Sequence, residues 1–315
     1  MITRIKNKIK HLFKTKEKTL EPPALPAPTE KESRLIETFR KKISSLPPLE
    51  FTKENSTSHK WLRRLNEMRQ NILNKDPRNF TRWPDVAVTM YTEAPVLELE
   101  HLKNLPSWST WEKALTENPA GNPPEYKAYP TSGGNLIHHA YHLSQLVEQH
   151  RISIPNMQYI FEFGGGYGSM ARLFFQLGFK GTYVIFDLPE FSALQEYFLS
   201  SINLPIKIHT APTQESNSVV LLSDISKLTK QLQGAHPNIF IATWSTSESP
   251  VKLRKKIENF ARNSKHQLIG YQNLFGGIDN LSYYADMQKR ENSYTWIDRE
   301  IEHFKGNHYL IGKKK

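Results

Sequence analysis

Residues 159–190 read YIFEFGGGYGSMARLFFQLGFKGTYVIFDLPE, and the fold follows from how this stretch divides. Tyr159–Phe163 is apolar except for Glu162, which predicts a short buried strand. Glycines at 164, 165, 166 and 168 follow. Met170, Leu173, Phe174 and Leu177 then fall at i, i+3, i+4 and i+7, one apolar face of a helix. Gly178 and Gly181 close that helix, and a second strand, Thr182–Phe186, ends in Asp187. Strand, glycine turn, helix, strand and acid make half of a nucleotide-binding α/β domain. Glycine permits positive φ and close approach of a ligand to the backbone, and a helix start offers free N–H groups to an anionic group. Asp187 lies 19 residues past Gly168, close to the spacing of about 20 that sets an acid against a ribose diol.

Two cofactor classes fit the turn. Gly166, Gly168 and Ala171 satisfy G-x-G-x-x-A, which admits a nicotinamide or flavin dinucleotide. Glu162, Gly164, Gly166 and Gly168 satisfy E-x-G-x-G-x-G, which resembles the turn of S-adenosylmethionine (SAM) methyltransferases, where the strand-end acid helps position the turn and the cofactor's amino-acid end. Glu162 favours SAM. The resemblance extends further. FEFGGGYGSMARL, IFDLPE, FIATWSTSESP, Gln272-Asn273 and EHFKGNHYLIG, with NFTRWPDVAVTM and GGNLIHHAYHLSQL, are similar to the sugar O-methyltransferase family of bacterial surface-polysaccharide gene clusters, over roughly residues 79 to 313. That resemblance implies a Rossmann-like, seven-stranded SAM methyltransferase sheet under an N-terminal helical or irregular cap. It also implies a sugar or glycan-intermediate acceptor.

The 315 residues, 38% hydrophobic and 23% charged, suffice for a sizeable core. No apolar run reaches the ~18 residues of a membrane span, and the charged N-terminus lacks a secretory core. This predicts a cytoplasmic protein. The absence of cysteine excludes disulfides, thiolate metal sites and a cysteine nucleophile. Net charge is +11, but seven basic residues against Glu17 in residues 1–20 carry +6 of it. The basicity belongs to a tail, so no nucleic-acid partner is expected. Within residues 1–18, Ile2, Ile5, Ile9, Leu12 and Phe13 fall at helical spacing among lysines. They suit either a peripheral helix on the inner membrane face or a solvated tail.

The chain divides into a tail and proline-rich linker (1–30), a helical and cap region (31–150) and a cofactor domain (151–315). Helices are expected near 31–46 and around Trp61 to Ile72, and an irregular, proline-rich cap over 76–135. Trp83, Tyr91, Trp108, Trp111, Tyr126 and Tyr129 can line a sugar face or anchor that cap. His138 and His142 stand one turn apart, but no acid completes a metalloprotease-like set, so no metal is expected. Beyond Asp187 the reading gives strand three at Ile206–His209, an extra strand at Ser218–Leu222, strand four at Asn238–Trp244 and a helix capped by Ser249. Strand five is Gln267–Gln272, and a terminal antiparallel hairpin follows. Asp224, after Ser218–Leu222, is a candidate adenine contact.

Cofactors in such sheets sit beyond the carboxyl ends of the strands. A sugar hydroxyl needs its proton removed before it attacks. Glu248, at the end of strand four, has the best placement for a base, and His303 and His308 the better intrinsic pKa. Asn273 and Asp279 can orient hydroxyls. A nicotinamide-dependent oxidoreductase and a non-catalytic, membrane-associated scaffold remain the alternatives on this fold.

Overall fold

The computed structural model describes residues 25–49, 56–90, 96–202 and 204–315. The tail reading of residues 1–18 and the reading of Tyr91 lie outside these. In chain order the helices are α1 (Glu30–Ser44), α2 (Ser56–Asn74), α3 (Pro84–Met90), α4 (Val96–Lys103), α5 (Trp108–Ala114), α6 (Gly134–His150), α7 (Ser169–Gln176), α8 (Pro189–Ser201), α9 (Ile225–Leu232), α10 (Val251–Ala261) and α11 (Asn280–Arg290). The strands are β1 (Glu125–Tyr126), β2 (Tyr129–Gly133), β3 (Tyr159–Phe163), β4 (Thr182–Phe186), β5 (Lys207–His209), β6 (Ser218–Leu222), β7 (Ile239–Thr243), β8 (His266–Gln272), β9 (Leu274–Phe275), β10 (Ile278–Asp279), β11 (Tyr294–Glu300) and β12 (Asn307–Lys314).

Eight strands form the main sheet in the order β11-β12-β8-β7-β3-β4-β6-β5. The glycine-turn strand β3 lies in its middle, parallel to β4 on one side and β7 on the other. Only β12 runs against its neighbours, β8 and β11, which gives the expected terminal hairpin. This is a Rossmann-like α/β sheet with one strand more than the seven expected.

The extra strand has a physical origin. Ser218–Leu222 is buried at every residue and pairs with β4. Lys207–His209, expected as strand three, instead adds outside it as a short polar edge. A wholly apolar run is stable only with both faces covered, whereas Lys-Ile-His tolerates an edge.

Side-chain alternation sorts the central strands onto two cores. Ile160, Tyr183, Ile185, Val219, Leu221, Ile239 and Ile241 share one core with the N-terminal helices, α6, α7 and α8. Phe161, Val184, Val220, Phe240, Ala242 and Tyr271 share the other with α9, α10 and α11. Residues 76–135 are less irregular than their prolines suggest, forming short helices and the β1–β2 hairpin. Trp83, Trp111 and Tyr126 point into the core. Trp108 and Tyr129 are half-buried and meet edge to face. Helix α10 starts one residue later than expected. Pro250 is its cap residue, and the Ser249 hydroxyl donates to Ser245 O at 2.8 Å.

Candidate functional site

The glycine turn sits at the switch point. Gly164, Gly166 and Gly168 have φ of 75°, 57° and 95°, a region L side chains rarely enter. Space also demands glycine: a Cβ on Gly164 would run into Ser245, and one on Gly165 would come within 2.8 Å of Glu162 Oε2. Gly164 N–H donates to Phe186 O at 2.9 Å, which fastens the turn to the end of β4. Glu162 lies beneath, 2% exposed, and accepts from the Tyr183 hydroxyl at 3.0 Å. Burial pushes its carboxyl up to about 8, so it holds its proton at neutral pH. It acts as a neutral strut under the turn.

Asp187 stands half-buried at the mouth. Its carboxylate accepts from Leu188 N–H at 2.8 Å and from Gln195 Nε2 at 2.9 Å. Gln195 also donates to Gly166 O at 2.8 Å, tying acid and turn together. Burial outweighs these bonds and pushes the carboxyl up to about 7. Beside it Leu188 is 43% exposed, an apolar surface next to the acid. A half-buried carboxylate, a glycine-rich turn and an exposed apolar neighbour suit a nucleoside with its ribose diol on Asp187. Asp224 follows β6, but its exposed carboxylate caps α9, accepting from Ser226 N–H at 2.8 Å and Lys227 N–H at 3.0 Å. A bond from the Ser226 hydroxyl, together with these two, lowers its pKa.

The acceptor-side candidates fall into two groups. His308 lies on β12 with its side chain on the α11 face, stacked on Tyr271 at 5.0 Å and 3.3 Å from Asp298. Its neighbour Tyr309 faces the opposite way, toward α6, where it meets His142. Glu248 follows β7 and accepts from Gln272 Nε2 at 3.3 Å, in a loop fixed by Arg254, Asn280 and Tyr284. Asn273 Oδ1 is buried without a hydrogen bond, and Asp279 caps α11 through Ser282 N–H.

His303 belongs to a cluster that the sequence did not bring together. Its Nε2 lies 2.8 Å from Glu98 Oε1, and His138 Nδ1 lies 2.8 Å from both Glu98 oxygens. Glu98 is wholly buried. His138 faces Trp244 at 6.1 Å and 21°. Trp244 follows β7 with φ of 62°, a strained conformation for a bulky residue. Its indole N–H donates to Asn307 Oδ1 at 2.8 Å. His142 bonds the Tyr309 hydroxyl and lies fully buried, and burial lowers its pKa well below the usual imidazole range. No group of three or more metal-ligating side chains occurs among the described residues.

No family model matches the chain, and no curated protein matches it. Solved structures resemble it weakly. The methyltransferase domain of bacterial CtHen1-CN is 10% identical, covers 54% of this chain and 95% of its own, and has a TM-score of 0.41. An O-methyltransferase family protein from Burkholderia thailandensis is 11% identical over 57% of this chain and 60% of its own, at 0.37. TrmK of M. capricolum, solved with S-adenosyl-homocysteine (SAH), is 13% identical over 55% and 67%, at 0.36. At these values no residue role is taken from them.

Proposed function

We propose that this chain is a SAM-dependent O-methyltransferase acting on a sugar hydroxyl. The supporting observation is the half-buried Asp187 carboxylate tied through Gln195 to the Gly164–Gly168 turn, above a protonated Glu162. SAM, when bound, supplies an electrophilic methyl group on a sulfonium. The chain's own residues bind and align. Asp187 accepts the ribose hydroxyls, Leu188 covers the base, and Glu162, Gly164, Gly166 and Gly168 shape the seat for the amino-acid end. A turn closed by a neutral strut suits the methionine end of SAM, which carries no pyrophosphate. Alignment of donor and acceptor supplies much of the rate in such transfers.

In this reading residues 151–315 hold the cofactor, residues 31–150 cap it, and residues 1–30 form a tail. The sugar acceptor rests on the sequence resemblance and on the hydroxyl chemistry a nearby base would serve. Isothermal titration tests the cofactor. SAM and SAH are expected to bind, and NAD and NADP are not; the reverse result returns the chain to the oxidoreductases, and no binding by either makes it a scaffold. A mass gain of one methyl group across a panel of surface glycans tests the acceptor. Peripheral attachment through residues 1–18 is tested by liposome sedimentation against a chain lacking residues 1–20, and equal pelleting sinks it.

A further inference from the structure

The cluster around Glu98 joins three distant segments: α4 supplies the acid, α6 supplies His138, and the loop between β11 and β12 supplies His303. A carboxylate only accepts hydrogen bonds, so both imidazoles turn an N–H toward it. In the neutral ring this places the His138 proton on Nδ1 and a lone pair on Nε2. His138 Nε2 has no hydrogen bond among the described residues, whereas Glu98 is sealed from solvent and His303 spends its Nε2–H on the acid.

The cluster also adjoins the cofactor edge. His138 faces Trp244, the next residue Ser245 donates its hydroxyl to Phe163 O, and Ser245 blocks any side chain at Gly164. Phe304, 41% exposed, lies 6.0 Å from the Trp244 ring and extends an apolar wall beside the histidine. Few polar groups on an apolar wall are what a small-molecule subsite needs.

Building on the SAM reading, we infer that the acceptor subsite lies at the Nε2 edge of His138, bordered by the Trp244 and Phe304 rings, and that His138 is the catalytic base. The acceptor O–H bond breaks and its proton passes to His138 Nε2. The oxygen forms the bond to the methyl carbon as the C–S bond breaks, the electron pair staying on sulfur. Glu98 stabilises the resulting imidazolium and, with His303, acts as a positioning residue. The titratable groups facing His138 are Glu98 from α4, His139 and His142 from its own helix, and His303 from the hairpin loop.

The test begins with the ¹⁵N-histidine-labelled full chain saturated with SAH. The expected NMR result is a bare Nε2 and protonated Nδ1 on His138 at pH 7.5 (a test condition of about neutral pH), with Glu98→Gln mixing the two tautomers. A proton on Nε2, or no change in Glu98→Gln, overturns the inference. The second measurement follows methyl transfer from radiolabelled SAM to a panel of methyl pyranosides. His138→Gln is expected to lower kcat about 100-fold or more while SAH affinity stays within about twofold, and His303→Asn is expected to shift the pH profile with a smaller loss. Retention of most of kcat in His138→Gln overturns it. Failure of SAH binding in the wild-type chain instead overturns the cofactor reading, and failure of every pyranoside overturns the acceptor class, while the tautomer measurement still decides the role of His138.

Discussion

The glycine-turn edge and the histidine helix treat buried ionisable groups in opposite ways. At the edge, burial pushes the acids Glu162 and Asp187 up to about 8 and about 7, which keeps the proton on Glu162 and draws Asp187 toward its neutral form. On α6, His139 is pushed down to about 3, and His142 well below its usual value, so burial keeps protons off. Both regions avoid net charge inside the protein. Of these three histidines on α6, His138 is the one paired with a carboxylate, Glu98. The difference teaches that on this helix a carboxylate partner sets one imidazole apart from neighbours that burial keeps neutral.

The largest expected effect breaks the edge alone. Gly164→Ala places a methyl group against Ser245 in a left-handed backbone. It should cost about 3 kcal/mol of stability, from strain and overpacking, as read by denaturant midpoint. Next, Asp187→Ala should weaken SAH binding roughly 10- to 100-fold, the value of hydrogen bonds to a charged group, in calorimetry. Unchanged affinity would place the diol elsewhere.

The acid and base limbs of stability sharpen the comparison further. Glu162 binds a proton in the folded state up to about pH 8 but loses it near the ordinary value of 4.5 when unfolded. Folded protein therefore holds more protons across that window, and stability falls as pH rises through it, by up to about 1.4 kcal/mol per unit. Glu162→Gln should flatten that slope in melting curves between these pH values. His139 works on the other limb. Unfolded chains take up its proton below 6.5, while the folded state does so only near 3. Stability is thus lost as pH falls from 6.5 toward 3, and His139→Leu should reduce that loss. The smallest effect is expected at Asp224→Ala, a slight drop in the denaturant midpoint from a lost helix cap. If SAH affinity drops as well, Asp224 touches the cofactor in addition to capping α9.

These regions also differ in how much their sequence discloses. Glu162, the glycines and Asp187 lie within 26 consecutive residues, so local periodicity and spacing sufficed to read the turn and its strands. His138 and His142 stood out as a pair, yet their partners were hidden. Glu98 is 40 residues from His138 and 205 from His303, on a short helix inside a proline-rich stretch that reads as irregular. Only a surplus acid at an otherwise apolar helical face, Glu98 beside buried Leu99 and Leu102, carried a signal. Face assignment was equally out of reach for the two hairpin histidines. A strand's alternation shows that His308 and Tyr309 face oppositely, but which side meets α6 depends on the assembled sheet. The third strand was misplaced for a similar reason: length and apolarity identify strands, whereas neighbours decide which one is interior.

The first helix has a mechanical consequence. Phe39 of α1 stacks on Tyr197 at 4.8 Å, Lys42 pairs with Glu196, and Arg69 of α2 grips Glu190 at 2.6 Å, all on the helix that leaves Asp187. The amino-terminal helices are thus bolted to the same beam that follows Asp187, and stiffening that beam would slow amide exchange some 150 residues upstream in the chain.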